Sequence, residues 1–315
     1  MADERIGQVS VPRPARRLEA WTVLLLVGIL WGLSFSLTRI AARGGDHPFG
    51  IALWECAFSG VIISSLVAVR RLTVKLSWTA IRVHLVTGFT GMVVPSVVLF
   101  YAASHIPAGI LSISVALVPV LTFVASLAAG VERPAWGRLL GVVLGLAAIV
   151  LLVGPKDSLP DPAQLPWVML ALLAPFGYAA LSMVPILMGS PSDNPFVTTS
   201  GMFATATLML LILTQATGTT MPLDWPLSAA AWAIVGLALI NALNYVLFFR
   251  LIETAGPVFT SLIANFVTLF GVIWGIVIFG EVNSIWVWLS LVVMMAALLL
   301  VAPRGRAASD AGGGH

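Results

Sequence analysis

Two stretches, FYAASHIPAGILSISVALVPVLTFVASLAAGVE (100–132) and FRLIETAGPVFTSLIANFVTLFGVIWGIVIFGE (249–281), decide how this chain is read. Each opens on a phenylalanine, passes a turn at Pro107 or Gly256-Pro257, and closes on a glutamate after a long apolar run. Phe100/Phe249, Ser112/Ser261, Val118/Val267 and Glu132/Glu281 all fall 149 residues apart. Few letters match, so hydropathy and turn placement carry the likeness. A membrane chain built as two related halves is the usual plan of a secondary transporter, with its site at the seam between them.

Composition sets the class. Hydrophobic residues make up 59% of the chain and charged ones 9%, against about 25% charged in a soluble domain. Such a surface faces lipid. The net charge of +3 comes from arginine clusters at membrane edges and gives no reason to expect nucleic acid. The single cysteine, Cys56, excludes an internal disulfide and any paired-cysteine metal site.

Ten apolar stretches run roughly over 21–42, 49–69, 83–104, 106–130, 137–153, 166–187, 196–215, 229–249, 257–279 and 285–302. About 20 apolar residues cross the hydrocarbon core, so most are long enough, and the fifth and tenth are short. Alternating strands are absent, which leaves helices. The expectation is an all-α membrane protein of ten transmembrane helices. It divides into an N-terminal tail (1–20), a five-helix repeat (21–153), a linker (154–165), a second repeat (166–303) and a C-terminal tail (304–315). The run from Trp21 to Ile40 is too long for a cleaved signal, so it is read as the first helix.

Basic residues set the orientation. Arg5, Arg13, Arg16, Arg17, Arg70, Arg71, Lys75, Arg82, Arg133, Arg138, Arg250, Arg304 and Arg306 fall on one side, and Arg39, Arg43 and Lys156 on the other. This bias places both termini in the cytoplasm of a multi-pass inner (plasma) membrane protein. Five helices per half then require the second repeat to insert upside down, giving inverted topology.

At this point the residues resemble a family. Trp31-Gly32-Leu33-Ser34-Phe35 is similar to the Trp-Gly-x-x-Phe opening of EamA-type carriers of the drug/metabolite transporter superfamily. Pro107 through Pro119 to Glu132, followed by Gly141 and Gly145, resembles the close of that family's repeat, and Gly256-Pro257 through Gly280-Glu281 its second close. There are departures. Glu55 stands where the family often carries an arginine, Thr268 answers Pro119, and the sixth helix opens with Pro175-Phe176-Gly177-Tyr178. The resemblance implies a permease exporting a small amino-acid-like or drug-like solute, driven by a proton or solute gradient. It also implies a cavity lined by the first, third, fourth, sixth, eighth and ninth helices, with the fifth and tenth peripheral.

Polar residues inside a span face a neighbour or a cavity. Asn241, Asn244, Tyr245 and Phe248 follow helical spacing and share one face of the eighth helix. Ser261, Asn265 and Thr268 do so on the ninth, Trp31, Ser34 and Thr38 on the first, Tyr178 and Ser182 on the sixth. The cavity candidates are Trp31, Ser34, Tyr101, Tyr178, Asn241, Asn244, Tyr245 and Asn265; the competing reading is hydrogen-bonded glue between helices. Glu55 is the carboxylate well inside a span, roughly 10 Å from the helix start at Pro48. It has three readings: a proton-coupling group, an ion pair with Arg39 or Arg43, or a direct contact for a substrate amine. Glu132 and Glu281 sit where a new helix starts and read as caps. Gly28/Gly32, Gly141/Gly145 and Gly271/Gly275 are small-xxx-small pairs for close helix approach; Gly141/Gly145 leaves a homodimer contact open beside packing within the chain.

The expected partners are a small-molecule solute and membrane lipid, with no cofactor and no metal. The competing classes are an intramembrane enzyme and a non-transporting sensor. The four histidines show no ligand spacing, and no glycine-rich loop ends in Lys-Ser/Thr, so metal hydrolysis and ATP-driven pumping lack support. The orientation is directly testable. A fluorescent protein fused after Arg306 should glow and a periplasmic-type phosphatase there should be inactive; an active phosphatase overturns the topology.

Overall fold

The computed structural model describes residues 14–302 apart from 76, 190, 191 and 193. Arg5, Arg13, Arg304, Arg306 and most of both tails therefore lie outside the described residues. Among the described residues there are helices and no strand. Ten helical segments follow one another: α1 (Leu18–Ala42), α2 (Pro48–Val69), α3 (Trp78–Ala103), α4 (Ala108–Ala128), α5 (Trp136–Val153), α6 (Pro162–Met188), α7 (Pro195–Thr217), α8 (Ala229–Gly256), α9 (Ile263–Phe279) and α10 (Ile285–Val301). The first eight are long and apolar enough to cross a membrane, and α9 and α10 are shorter apolar helices.

One expectation about length is corrected. The fifth stretch gives a helix of 18 residues, while the ninth is interrupted near its start, at 261–262. Gly256 takes φ +82°, which ends α8; one helical turn follows to Thr260, and after a turn at 261–262 regular helix resumes at Ile263. A glycine can adopt this left-handed backbone without steric cost.

Local chemistry fixes the ends. His47 Nδ1 accepts from Phe49 N and Asn194 Oδ1 from Phe196 N, each ahead of a proline in the first turn. Ser77 and Ser284 cap α3 and α10 in the same way. Each side-chain oxygen or nitrogen satisfies an N–H that the helix leaves without a partner.

Three prolines break the helices they sit in. Proline cannot donate to the carbonyl four residues earlier. Pro119 leaves Val115, and α4 divides there into Ala108–Val115 and Val118–Ala128. Pro175 leaves Ala171, where the first part of α6 ends before resuming at Ala174. Pro95 leaves Gly91, and α3 widens into a π turn over Phe89–Val93. Pro185, by contrast, sits inside a continuous helix.

The two halves interlock. α1 packs on α8 and α9, α2 on α7, α5 on α10, and the later part of α4 on α6. The main core joins Phe35, Cys56, Phe100, Ile110, Phe203 and Leu237 from both halves. Close approach rests on glycine. A Cβ on Gly28 would stand 2.5 Å from Phe266 Cβ, and one on Gly32 2.7 Å from Phe270 Cβ. Gly141 faces Leu300 and Val301 of α10, and Gly145 faces Val120 of α4, so this pair packs within the chain.

Gly32→Val should lower the melting temperature, because the added methyls meet Phe270 and the backbone of Gly271; overpacking of this kind costs about 1–3 kcal/mol. Gly236→Ala, whose new methyl meets only the tip of Leu37 at 3.1 Å, should leave it nearly unchanged. Equal melting of the two variants contradicts the close α1–α9 contact.

Candidate functional site

Glu55 is the centre of the arrangement. It lies on α2, 8% exposed, and its Oε1 accepts from Asn241 Nδ2 of α8 at 3.2 Å. The Ser96 hydroxyl, one residue past the proline that distorts α3, faces the same carboxylate. Cys56, Tyr178 of α6 and Tyr245 of α8 complete its surroundings. The ion pair with Arg39 or Arg43, one of the three readings of Glu55, is not formed. Arg39 pairs instead with Glu281.

That pair also corrects the reading of Glu281. The residue does not cap α10, which Ser284 caps. Its carboxylate accepts from Ala108 N at 2.7 Å and Gly109 N at 3.1 Å, at the start of α4. Arg39 completes the cluster and lies over the Phe279 ring, 4.5 Å from its centre. One buried carboxylate thus ties α1, α4 and the α9–α10 turn together, where the positive end of the α4 dipole and a guanidinium both favour its charge. Glu132 is likewise no cap: it pairs with Arg138 of α5.

Aromatic residues form a wall beside Glu55. Trp31 meets Tyr245 edge-on at 6.1 Å and Phe248 at 5.7 Å, and Tyr245 meets Phe203 of α7 at 6.0 Å. Of the candidates, the structure therefore brings Trp31, Tyr178, Asn241 and Tyr245 together around or next to Glu55. Ser34 is spent on its own helix, donating to the Trp31 carbonyl at 2.5 Å. Tyr101 lies more than a turn beyond Ser96 along α3 and bonds His47 Nε2 at 3.1 Å, so it belongs to the helix-end cluster.

Asn244 is the outlier of the interior. It is 0% exposed, and neither its amide nitrogen nor its amide oxygen has a hydrogen-bond partner. Ser36 and Ser59 hydroxyls and the Asn265 amide oxygen are buried in the same condition. Leaving such a group without a partner costs about 1–3 kcal/mol, so each of these is a costly feature of the interior. Ser59 follows Glu55 by one turn of α2, and Asn244 follows Asn241 by one turn of α8, so the polar face continues along the two helices.

Sequence reasoning missed Ser96, Ser59, Phe203 and the Arg39–Glu281 pair. Ser59 was legible as the i+4 neighbour of Glu55, and Ser96 as a hydroxyl directly after a proline within a span. The pair depends on a fold-level contact 242 residues apart and had no local signal. The described histidines serve structure: His47 caps α2, His105 stacks on Trp167 at 3.6 Å, and His84 packs against Gly201. Among the described residues no three His, Cys, Asp or Glu side chains are grouped to hold a metal. One groove, about 370 Å³, is apolar, is lined by residues such as Val86, Ala125, Met183 and Leu187, and does not include Glu55 or Asn244.

Comparison with known proteins agrees with this architecture. The sequence pattern of the EamA-like transporter family matches residues 20–154 and again 165–302, one match per half. A relative from Archaeoglobus fulgidus described as an uncharacterized transporter is 22% identical over 139 residues, 44% of this chain; the match spans about half the length of that relative. A protein of known crystal structure shares the fold with a TM-score of 0.61 at 17% identity, covering 92% of this chain and 96% of its own.

The Glu281 cluster makes an ordered prediction for stability. Glu281→Ala strands a buried guanidinium and two helix N–H groups, a loss of about 3–5 kcal/mol. Arg39→Gln leaves the carboxylate on Ala108 N and Gly109 N and should cost less. Thermal melting of the purified variants checks the order, and the reverse order contradicts the geometry.

Proposed function

Because the chain belongs to the EamA-like transporter family, we propose that it is a secondary-active exporter of a small metabolite, working by alternating access and coupled to a proton at Glu55. The observation that carries this reading is Glu55 itself: a buried carboxylate held by neutral donors, beside an asparagine whose amide is free to bond a guest. A carboxylate in such a place can gain and lose a proton as the site opens to one side or the other.

In this reading all ten helices span the inner membrane as two inverted repeats, 21–153 and 166–303, joined by 154–165, with both termini cytoplasmic. The Arg39–Glu281–α4 cluster then lies at the outer end and closes it. Outward opening separates α1 and the α9–α10 turn from the start of α4, so the pair acts as the outer latch. The inner end has the exposed Glu19–Arg250 pair; exposed pairs contribute little, so that end opens more readily. The breaks at Pro95, Pro119 and Pro175 let parts of α3, α4 and α6 tilt around the site. Trp31, Tyr178, Asn241, Asn244, Tyr245 and Asn265 form its walls. An intramembrane enzyme would convert the solute, and a sensor would leave it where it was.

The test is transport by purified protein in liposomes carrying a pH gradient, screened over amino acids, amines, nucleosides and sugars. Wild type should accumulate a solute against its gradient, a protonophore should abolish accumulation, and Glu55→Gln should lack it. Conversion without movement, or accumulation that ignores both the protonophore and Glu55→Gln, contradicts the reading. For the solute so found, Asn244→Ala should weaken binding about tenfold or more while the melting temperature holds or rises, because the amide leaves no internal bond behind. Ser126→Ala, which removes only a bond to Met183 sulfur, should leave affinity unchanged. Equal small effects at both positions move the site away from α8.

A further inference from the structure

We infer that the groove between α3, α4 and α6 binds an anionic phospholipid, which lays one acyl chain in the groove and sets its phosphate on Arg82 and Arg133. The site is separate from Glu55 and does not depend on what the protein transports.

Small residues open the groove. α3 and the later part of α4 both pack on α6. Ala125, Ala129 and Ala180 line the gap beside Val86, Thr90 and Leu187, and the space left is about 370 Å³. Val86 and Leu187 are exposed there, so in a membrane the groove opens onto lipid. The Thr90 hydroxyl is already donated to the Val86 carbonyl at 2.8 Å. A polar solute therefore has nothing to bond here and would lose its water. On α6 the lining runs from Ala180 to Met188, eight steps of about 1.5 Å or roughly 12 Å. That is most of one leaflet's share of a hydrocarbon core about 30 Å thick. A single acyl chain has the right length and polarity.

The mouth of the groove supplies the second, independent observation. The groove lies where α3 begins and where α4 and α6 end, at the cytoplasmic face in the proposed orientation. Arg82 precedes Val86 by one turn, on the same side of α3. Arg133 follows Ala129 by four residues, in the turn between α4 and α5. Both are exposed. No Asp or Glu occurs from Cys56 to Val131 or from Leu165 to Met188. Glu132, the carboxylate nearest in sequence, is held by Arg138. Among the described residues, then, neither Arg82 nor Arg133 is paired with a carboxylate. Guanidinium groups bind phosphate oxygens through paired N–H donors, and basic pockets between helices at this face suit anionic headgroups.

A second groove shows what the first adds. It holds about 210 Å³ between Phe58 and Ile62 of α2 and Val235 and Leu239 of α8, and it too is apolar. No basic residue stands within a turn of its lining in the sequence. That groove can take any chain of the surrounding lipid, whereas the first joins a chain slot to a phosphate seat. The first also touches moving parts. α3 and α4 belong to one half and α6 to the other, and Thr90 is part of the π turn of α3. A lipid seated there braces three helices at once and stabilises the packing seen in this structure.

Native mass spectrometry of the purified protein, with palmitoyl-oleoyl phosphatidylglycerol or the phosphatidylcholine of the same chains, counts the lipid retained. Wild type should hold phosphatidylglycerol about tenfold more tightly than phosphatidylcholine, and glycerol phosphate, the headgroup without chains, should not be retained. Arg82→Gln combined with Arg133→Gln should bring phosphatidylglycerol down to the phosphatidylcholine level. Lys75→Gln, an exposed cation on the α2–α3 loop, should change retention less than about twofold. Ala180→Phe fills the groove with both arginines in place and should lower phosphatidylglycerol retention about tenfold. Phosphatidylglycerol should raise the melting temperature of wild type and not of Ala180→Phe. Equal retention of the two lipids by wild type means ordinary surrounding lipid and overturns the site, a comparison that stands even if a variant fails to fold. Full retention by Ala180→Phe, or an equal loss in Lys75→Gln, leaves only a diffuse basic surface and also overturns it. A lipid-free dimer that Ala180→Phe converts to a monomer would make the groove a contact between copies instead.

Discussion

A carboxylate buried among helices must find its positive charge, and this chain solves that problem in two opposite ways. Glu281 has everything it needs within the protein: the Arg39 guanidinium and the N–H groups of Ala108 and Gly109. Glu55 has an amide and a hydroxyl. The first is a closed contact that fixes α1, α4 and the α9–α10 turn relative to one another. The second is an open one, which the proposed cycle completes with a proton. On that proposal the difference separates a structural glutamate from a working one more clearly than burial does, since both are buried.

The same distinction explains what could be read from the sequence. The all-helical class and the two-half organisation were legible because hydropathy and turn residues act locally, and the family match covers both halves. Helix breaks were legible in kind, since Pro95, Pro119 and Pro175 each disrupt the turn before them; the uninterrupted helix around Pro185 shows that neighbouring packing decides the outcome. The face holding Asn241, Asn244 and Tyr245 followed from spacing of three and four residues. What failed were assignments that depend on partners far along the chain. Glu281 stands just before a helix, as a cap would, yet its carboxylate serves a helix in the other half. Tyr101 lies on a predicted cavity helix, yet its hydroxyl is taken by His47 at the helix end.

Helix breaks and the polar site share one neighbourhood. The π turn of α3 ends two residues before Pro95, and Ser96 follows it onto Glu55. Gly177 of α6 lies against that turn, where a Cβ would stand 2.5 Å from the Thr90 carbonyl oxygen. Tyr178, the next residue, faces Glu55. A tilt at either break therefore moves a group that faces the carboxylate. This local coupling gives the proposed cycle a physical basis: protonation or solute binding at Glu55 changes which helix positions are favourable, and the Arg39–Glu281 contact sets what the outer end must give up to open.

Infrared difference spectroscopy of the purified protein tests the central claim most directly, because it sees whether Glu55 carries a proton when the site is empty and loses it when solute binds. The account predicts a carboxylic-acid C=O band in the solute-free protein that disappears when the transported solute is added and is missing from Glu55→Gln. A band that persists unchanged on solute binding, or one that remains in Glu55→Gln, would contradict it.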